Sequence, residues 1–237
     1  MTRAHNTLVL AAGENTFMTD AGERISKFNF AVSGESLRTR IVSTYQSGDT
    51  RFLVSENRSE PIQESDGVSL VKVGMTQGAL ISALIGLNEC DLSIPLFIAP
   101  GDALISPTRY SEFRNKCLNS DTDFSIVVFE SDNPNYSYIR TLEGKLVEVC
   151  EKKVISSQAT AGIFYFKSAQ LFLECAEWSI MNNFRTLDLF FLAPALNYAV
   201  VTGLRLNLFQ IEESEYYRFS HHKEAIESEK RYKNANQ

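Results

Sequence analysis

Short apolar runs alternate with segments of helical periodicity through the first half of the chain. The apolar runs lie at 8–12, 51–55, 68–73 and 95–99. Between them, Leu37, Ile41 and Tyr45 recur at a four-residue spacing, and 79–84 carries an apolar stripe; both patterns are typical of amphipathic helices. Buried strands that alternate with helices are typical of a parallel sheet covered by helices, so the pattern predicts an α/β fold.

The second half carries the signals of antiparallel strands. Strands are predicted at 123–129, 136–140, 146–150, 159–166 and 204–211. A turn at Glu143 and Gly144 joins two of them in a hairpin. Helices are predicted at 109–118, 168–179 and 187–201, the last distorted at Pro194. We therefore expect a mixed, mostly parallel sheet flanked by helices in one domain at 1–211, followed by a charged helix or tail at 212–237.

The charge and the apolar runs of the chain indicate which partners and which cellular compartment to expect. The formal net charge of -6 over 237 residues argues against a general nucleic-acid binder, because such proteins need a basic surface. No apolar run approaches the ~20 residues that span a bilayer, and the first apolar run is too short for a signal peptide. We therefore expect no membrane span and a cytoplasmic protein. The four cysteines form no C-x-x-C pair, which favours free thiols over a zinc site.

Several polar or glycine positions follow the predicted strands. Gly13 follows the first strand, Thr76 is the predicted N-cap of the helix that carries the apolar stripe at 79–84, and Asp102 follows the strand at 95–99. Ligands bind open α/β sheets at the carboxyl ends of the strands. Backbone amides together with Lys27 suit phosphates, and a carboxylate suits Mg²⁺. The arrangement predicts a site for phosphate and metal.

Five segments between residues 7 and 211 carry a family resemblance. They read LVLAAG at 8–13, SKFNFAVSGESLRTRIV at 26–42, TQGALISAL at 76–84, PLFIAPGDALI at 95–105 and DNPNYSYIRTLEGKLVEVCEKKVISSQATAGIFYF at 132–166. With them the sequence resembles the sugar nucleotidyltransferases, the sugar-phosphate pyrophosphorylases, and looks most like the branch of capsule and surface-polysaccharide pathways. The resemblance implies a Rossmann-like fold of GT-A type.

The resemblance also assigns roles to residues. The nucleotide-binding residues would be Ala12, Gly13, Gln77 and Gly78, and the acceptor would be held by Glu151, Lys152 and Gly162. Lys27 and Asp102 would be catalytic, Lys27 contacting phosphates and Asp102 binding Mg²⁺. The implied partners are a nucleoside triphosphate and a phosphorylated small molecule such as a sugar phosphate. A phosphate oxygen of that acceptor would attack the α-phosphate and release pyrophosphate.

The chain departs from the family pattern at its N-terminal signature. The family reads G-x-G-x-R, whereas residues 13–17 here are GENTF, and S-K-F at 26–28 replaces P-K-P. Glu14 places a negative charge where a triphosphate would pass. The aspartate–glycine–threonine–proline segment that often supplies a second metal ligand is replaced by YYRFSHHKE at 216–224.

Three interpretations therefore stay open. The protein is an active but divergent nucleotidyltransferase that uses Mg²⁺, or an inactive relative that serves as a ligand-binding or regulatory partner. The third is a GT-A glycosyltransferase, whose metal motif normally has two acidic residues, where 100–103 offers only Asp102. The nucleotide base, the acceptor and the oligomeric state, including a homo-oligomer, are undetermined at this level.

Overall fold

A computed structural model describes residues 4–14, 16–19, 21–55, 68–88 and 90–235, and the predicted loop at 56–67 lies outside them. The strands are β1 (Asn6–Ala11), β2 (Thr16–Met18), β3 (Arg24–Ser26), β4 (Ala31–Val32), β5 (Glu35–Ser36), β6 (Asp49–Ser55), β7 (Val68–Val73), β8 (Leu96–Pro100), β9 (Ala103–Leu104), β10 (Phe124–Glu130), β11 (Ser137–Leu142), β12 (Lys145–Glu151), β13 (Gln158–Phe166), β14 (Leu206–Gln210) and β15 (Tyr217–Arg218). The helices are α1 (Leu37–Tyr45), α2 (Ala79–Gly86), α3 (Pro107–Leu118), α4 (Ala169–Met181), α5 (Leu192–Ala195), α6 (Asn197–Thr202) and α7 (His222–Ala235).

A mixed sheet forms the centre of the molecule. Its strand order is β12-β11-β13-β8-β1-β6-β7, and β10 pairs with β13 and β14. Strands β8, β1, β6 and β7 are parallel, whereas β13 runs antiparallel to both β8 and β10. The predicted fold class, a mixed and mostly parallel α/β sheet flanked by helices, is confirmed. The predicted hairpin is β11 and β12, with Glu143 and Gly144 at positive φ in its turn.

Two apolar clusters cover the two faces of the sheet. Val9 of β1 belongs to the cluster that contains residues of α1, α3 and α7. Leu8, one residue earlier, belongs to the cluster that contains residues of α2, α4 and α6. Successive side chains of a strand point to opposite faces, so a continuous apolar run is what a strand buried on both faces requires. No helix within the described ranges is long and apolar enough to cross a membrane.

The predicted N-cap of α2 is wrong by two residues. The N-cap is Gly78 at φ 116°, and the Thr76 hydroxyl instead donates a hydrogen bond to the Gly78 carbonyl. A Cβ on Gly78 would lie 2.3 Å from the carbonyl oxygen of Phe190. Only glycine allows both this backbone conformation and this close approach, so the neighbouring segment decides where α2 begins.

The helix predicted at 187–201 is also wrong in part. Residues 187–191 are outside the helices, and α5 and α6 divide the remainder. The Phe190 N–H donates to the Gln77 carbonyl, and the Leu80 N–H donates to the Phe190 carbonyl. These bonds tie the backbone of Phe190 to the start of α2, so it cannot also form helical hydrogen bonds.

The C-terminal helix α7 packs on the domain. Ala225 and Tyr232 are buried in the cluster that contains α1 and α3. The Ser228 hydroxyl accepts from the Arg218 N–H at 3.1 Å and donates to the Arg218 carbonyl at 2.8 Å. These two hydrogen bonds attach helix α7 to β15. The predicted division into a domain at 1–211 and a charged helix or tail at 212–237 stays a prediction.

Candidate functional site

The carboxyl ends of β1 and β8 meet because the two strands are parallel neighbours. The Gly101 N–H donates to the Leu10 carbonyl at 2.9 Å. A Cβ on Gly101 would lie 2.6 Å from that carbonyl oxygen and 2.7 Å from the Cα of Ala11. The chain can cross the end of β1 at this distance because residue 101 is glycine, and Asp102 follows directly beside that end.

Lys27 brings a buried positive charge to Asp102. Its ammonium group lies 4.0 Å from a carboxylate oxygen of Asp102, and the side chains are 7% and 46% exposed, respectively. The Phe17 ring centroid lies 5.6 Å from the same ammonium group. Burial lowers the pKa of Lys27, whereas the charges of Asp102 and Glu14 act to raise it. The two residues predicted to be catalytic are thus neighbours, separated by 75 positions in sequence (102 − 27).

Arg218 is a third charged residue at this point, and sequence analysis missed it. Strand β15 pairs with β9, so that Arg218 lies opposite Ala103, and the Phe219 N–H donates to the Asp102 carbonyl at 2.8 Å. The backbone of β15 therefore runs directly beside Asp102. The two strands are two residues long each, which is too short for a periodic signal in the sequence.

The guanidinium group of Arg218 is held from two sides. It lies 5.2 Å from the centroid of the Tyr136 ring and 3.8 Å from a carboxylate oxygen of Glu224, the third residue of α7. Burial acts to lower the pKa of Arg218, but Tyr216 and the carboxylates of Glu224 and Asp102 outweigh it and raise the pKa. The guanidinium therefore remains charged at the site.

Glu151, at the end of β12, is a predicted acceptor residue on which this charge acts. Its carboxylate accepts a hydrogen bond from the Ser137 hydroxyl across the hairpin. Burial raises the pKa of Glu151, and the positive charges of Lys152 and Arg218 act against that rise. Arg218 thus interacts electrostatically with both Asp102 and Glu151, which belong to the two predicted halves of the site.

The other two predicted acceptor residues are placed differently. Gly162 has φ 71° where the register between β13 and β10 shifts, and the nearest atom that its Cβ would meet is Pro100 Cγ at 3.9 Å. It therefore lies in a bulge beside the end of β8. Lys152 has φ 53°, and its ammonium group lies 5.0 Å from the Phe191 ring centroid. Lys152 faces the 184–191 segment.

The predicted nucleotide-binding residues divide into two pairs. Ala12 and Gly13 follow β1 at the edge that carries Asp102, and a Cβ on Gly13 would meet no atom within 4 Å. Gln77 and Gly78 follow β7 at the same edge, where the Arg185 guanidinium donates to the Gln77 side chain at 3.4 Å. The structure brings Lys27 and Asp102 together, and it places Gln77 and Gly78 against the 185–190 segment.

A surface pocket of about 290 Å³ is lined in part by Glu151, one of the three predicted acceptor residues. Its lining includes Glu148, Glu151, Lys153, Arg185 and Asn197. Small-molecule sites are concave and carry a few convergent polar groups, so a pocket of this size next to Glu151 is able to hold the polar part of a small ligand.

Asp102 is able to bind a metal ion only together with ligands from a bound substrate. No group of three or more His, Cys, Asp or Glu side chains in the described part of the chain is able to hold a metal by itself. Mg²⁺ in phosphate enzymes is bound through one or two carboxylates and the phosphates of the substrate. The half-exposed carboxylate of Asp102 fits a Mg²⁺ shared with bound phosphates.

Comparison of the sequence with protein-family models and with curated proteins finds no match. Comparison with solved structures does. A nucleoside-diphosphate-sugar pyrophosphorylase from Vibrio cholerae has a TM-score of 0.70 at 15% identity, covering 95% of this chain and 99% of that one. The inositol-1-phosphate CTP transferase from T. maritima has a TM-score of 0.70 at 17% identity, covering 98% and 97%.

A third similar structure is assigned as a glucose-1-phosphate thymidylyltransferase from Bacillus anthracis, in complex with a sucrose. Its TM-score is 0.70 at 16% identity, and the match covers 98% of this chain and 96% of that one. At these identities the similarity shows that the chain shares their fold over nearly its whole length.

Proposed function

We propose that this protein is a nucleotidyltransferase of a surface-polysaccharide pathway in the cytoplasm. It transfers a nucleoside monophosphate from a nucleoside triphosphate to a sugar phosphate or a similar phosphorylated acceptor, and releases pyrophosphate. The observation that carries the proposal is the Lys27 ammonium group 4.0 Å from the Asp102 carboxylate at the carboxyl edge of the sheet, with the strand of Arg218 paired directly beside Asp102. The shared fold of three structures named for nucleotidyl transfer supports it.

The chemistry requires positioning and charge neutralisation. A phosphate oxygen of the acceptor forms a bond to the α-phosphorus, and the bond from that phosphorus to the bridging oxygen breaks with pyrophosphate as the leaving group. Lys27 and Arg218 supply fixed positive charge where negative charge accumulates. At 4 Å and an effective dielectric constant of ~20, one such charge pair is worth about 4 kcal/mol. A Mg²⁺ shared by Asp102 and the phosphates would add further charge neutralisation.

Pyrophosphate release tests the proposal. Purified protein is incubated with Mg²⁺, each nucleoside triphosphate and a panel of sugar phosphates, and at least one combination is expected to release pyrophosphate. Asp102→Asn should abolish that release. Asp121→Asn is the matched control, because Asp121 pairs with Arg205 on the surface. Folded protein that releases no pyrophosphate with any combination would overturn the proposal.

One observation favours a second candidate, a ligand-binding protein without catalysis. The Glu14 carboxylate lies close enough to Lys27 to act on its pKa, and Thr16 donates a hydrogen bond to Glu14. A negative charge here opposes a triphosphate more than a sugar monophosphate, which carries less charge. This candidate expects thermal stabilisation by a sugar phosphate and none by a triphosphate with Mg²⁺. Strong Mg²⁺-dependent stabilisation by a triphosphate would exclude it.

A further inference from the structure

Arg218 lies where the two predicted halves of the site meet. The Phe219 N–H, next to Arg218 in the chain, donates to the carbonyl of Asp102, which follows β8, at 2.8 Å. The Arg218 guanidinium lies 5.2 Å from the Tyr136 ring centroid, and the adjacent Ser137 hydroxyl donates to Glu151, which ends β12. The charge of Arg218 acts on both carboxylates. These carboxylates mark the proposed nucleotide and acceptor sides, so the inference rests on the proposed function. A group that bridges the two sides is placed where the phosphate of one substrate must approach the phosphate of the other.

The residue is pre-positioned by its surroundings. Its backbone N–H and carbonyl both bond to the Ser228 hydroxyl, so β15 is fixed against α7. Its guanidinium lies over the Tyr136 ring. The 3.8 Å separation from Glu224 exceeds the 2.7–2.9 Å of a charge-assisted hydrogen bond, so Glu224 holds the charge in place and leaves N–H donors available.

The local charges require a second cation if an anion is to bind. Lys27 already has Asp102 at 4.0 Å, and Glu14 also acts on it. One ammonium group facing two carboxylates leaves a net negative charge, which repels phosphate. Arg218 adds a positive charge beside Asp102, and Glu224 at 3.8 Å offsets part of that charge. The planar guanidinium matches the oxygens of a phosphate better than an ammonium group does.

We propose that Arg218 binds phosphate oxygens at the junction of the nucleotide and acceptor sides, and that Glu224 and Tyr136 hold its guanidinium in position. The ligand class is a phosphate ester or a pyrophosphate group. Arg218 offsets the mutual repulsion of the two phosphates as the acceptor oxygen approaches the α-phosphorus. Arg218 neither donates a proton nor forms a covalent bond in this reaction, because its guanidinium acts only through its charge and its hydrogen bonds.

Calorimetric titration with inorganic pyrophosphate, with and without Mg²⁺, tests the inference directly. A hydrogen-bonded charged group contributes about 1.5–3 kcal/mol, so Arg218→Gln should weaken pyrophosphate binding by about 10- to 100-fold. Arg218→Lys keeps the charge and should restore part of the affinity, which a merely structural role would not produce. Arg231→Gln is the matched control, since Arg231 lies over Tyr217 of the same strand and bonds to the Tyr216 carbonyl. It should bind pyrophosphate as the wild type does.

The outcomes separate the inference from the function on which it rests. Equal pyrophosphate affinity in the wild type and Arg218→Gln overturns the inference, even if the wild type turns over substrates. Affinity that depends on Arg218, in a protein that releases no pyrophosphate from any substrate pair, supports the inference and overturns the transferase. A wild type that does not bind pyrophosphate overturns the inference. If Arg218→Gln does not fold, Arg218→Lys carries the comparison and is expected to bind pyrophosphate more weakly than the wild type.

Discussion

Two charged side chains of the candidate site, Lys27 and Glu151, are buried enough for burial to be the main cause of the shift in their pKa. Lys27 is 7% exposed, and its pKa is lowered because burial penalises its charged form. Glu151 shows the opposite direction for the same reason, since burial disfavours a carboxylate and raises its pKa. Groups that cost stability in the folded state are typical of functional sites.

Lys27→Met should stabilise the protein while it weakens pyrophosphate binding. The lowered pKa of Lys27 shows that the folded environment disfavours its charged form, so a neutral side chain of similar length removes that cost. Because the folded pKa of Lys27 is below its ordinary 10.5, the unfolded state binds more protons between those two values. The wild type should therefore gain stability relative to the variant as the pH rises through that window. Urea denaturation at several pH values measures the stability of the variant and the pH dependence of its difference from the wild type. A marked loss of stability in the variant would contradict the prediction.

Glu151→Gln should change the dependence of stability on pH. The folded pKa of Glu151 is above its ordinary 4.5, so the folded state binds more protons just above pH 4.5. The wild type therefore loses stability as the pH rises through that window, and the amide, which still accepts from Ser137, removes this loss. The denaturation midpoint is measured for both proteins at about pH 4.5 and about pH 7.5, on either side of that window. The midpoint of the wild type minus that of the variant should be lower at the higher pH than at the lower one. Parallel pH profiles would contradict the assignment.

At the scale of elements, short connections position the site. The loop after β8 crosses the end of β1 at Gly101, and the two-residue strands β9 and β15 bring Arg218 beside Asp102. The strands of the central sheet and the hairpin turn were predictable, because apolar runs mark the strands and a glycine at 144 marks the turn. The pairing of β9 with β15 was not, since its partners are far apart in sequence and leave no pattern of their own.

Gly101→Ala should destabilise the protein, whereas Gly13→Ala should not. An alanine at 101 would place its Cβ 2.6 Å from the Leu10 carbonyl oxygen, and relieving such overlap costs about 1–3 kcal/mol. An alanine at 13 meets nothing within 4 Å, so its stability should stay within about 0.5 kcal/mol of the wild type. Chemical denaturation of both variants tests this pair. Equal stabilities would show that the loop can shift away from β1.

At the scale of the whole molecule, the last helix belongs to the structure of the site. Helix α7 supplies Glu224 to Arg218 and Ser228 to the backbone of β15. Its buried face carries Ala225 and Tyr232, which join the cluster that contains α1 and α3. Because α7 and the sheet share this core, we expect them to unfold together.

Tyr232→Ala should lower the stability of the entire chain in one transition. Tyr232 is 2% exposed and its ring lies 5.0 Å from that of Tyr217, so truncation leaves a cavity worth about 3 kcal/mol. Lys233→Ala, at an exposed position of the same helix, should change stability by less than about 0.5 kcal/mol. Circular dichroism and tyrosine fluorescence should report one common midpoint. A separate early transition in the Tyr232 variant would show that α7 unfolds independently.

The sequence by itself determined the fold class, most strands and helices, and the positions of Gly13 and Asp102 after their strands. It did so because burial on one or two faces imposes a period on neighbouring residues. Only the tertiary structure decided that Lys27 lies at Asp102, that Gly78 begins α2 against Phe190, and that the strand of Arg218 runs beside Asp102. These contacts join residues distant in the chain, and the packing of the whole core, rather than any local pattern, brings them together.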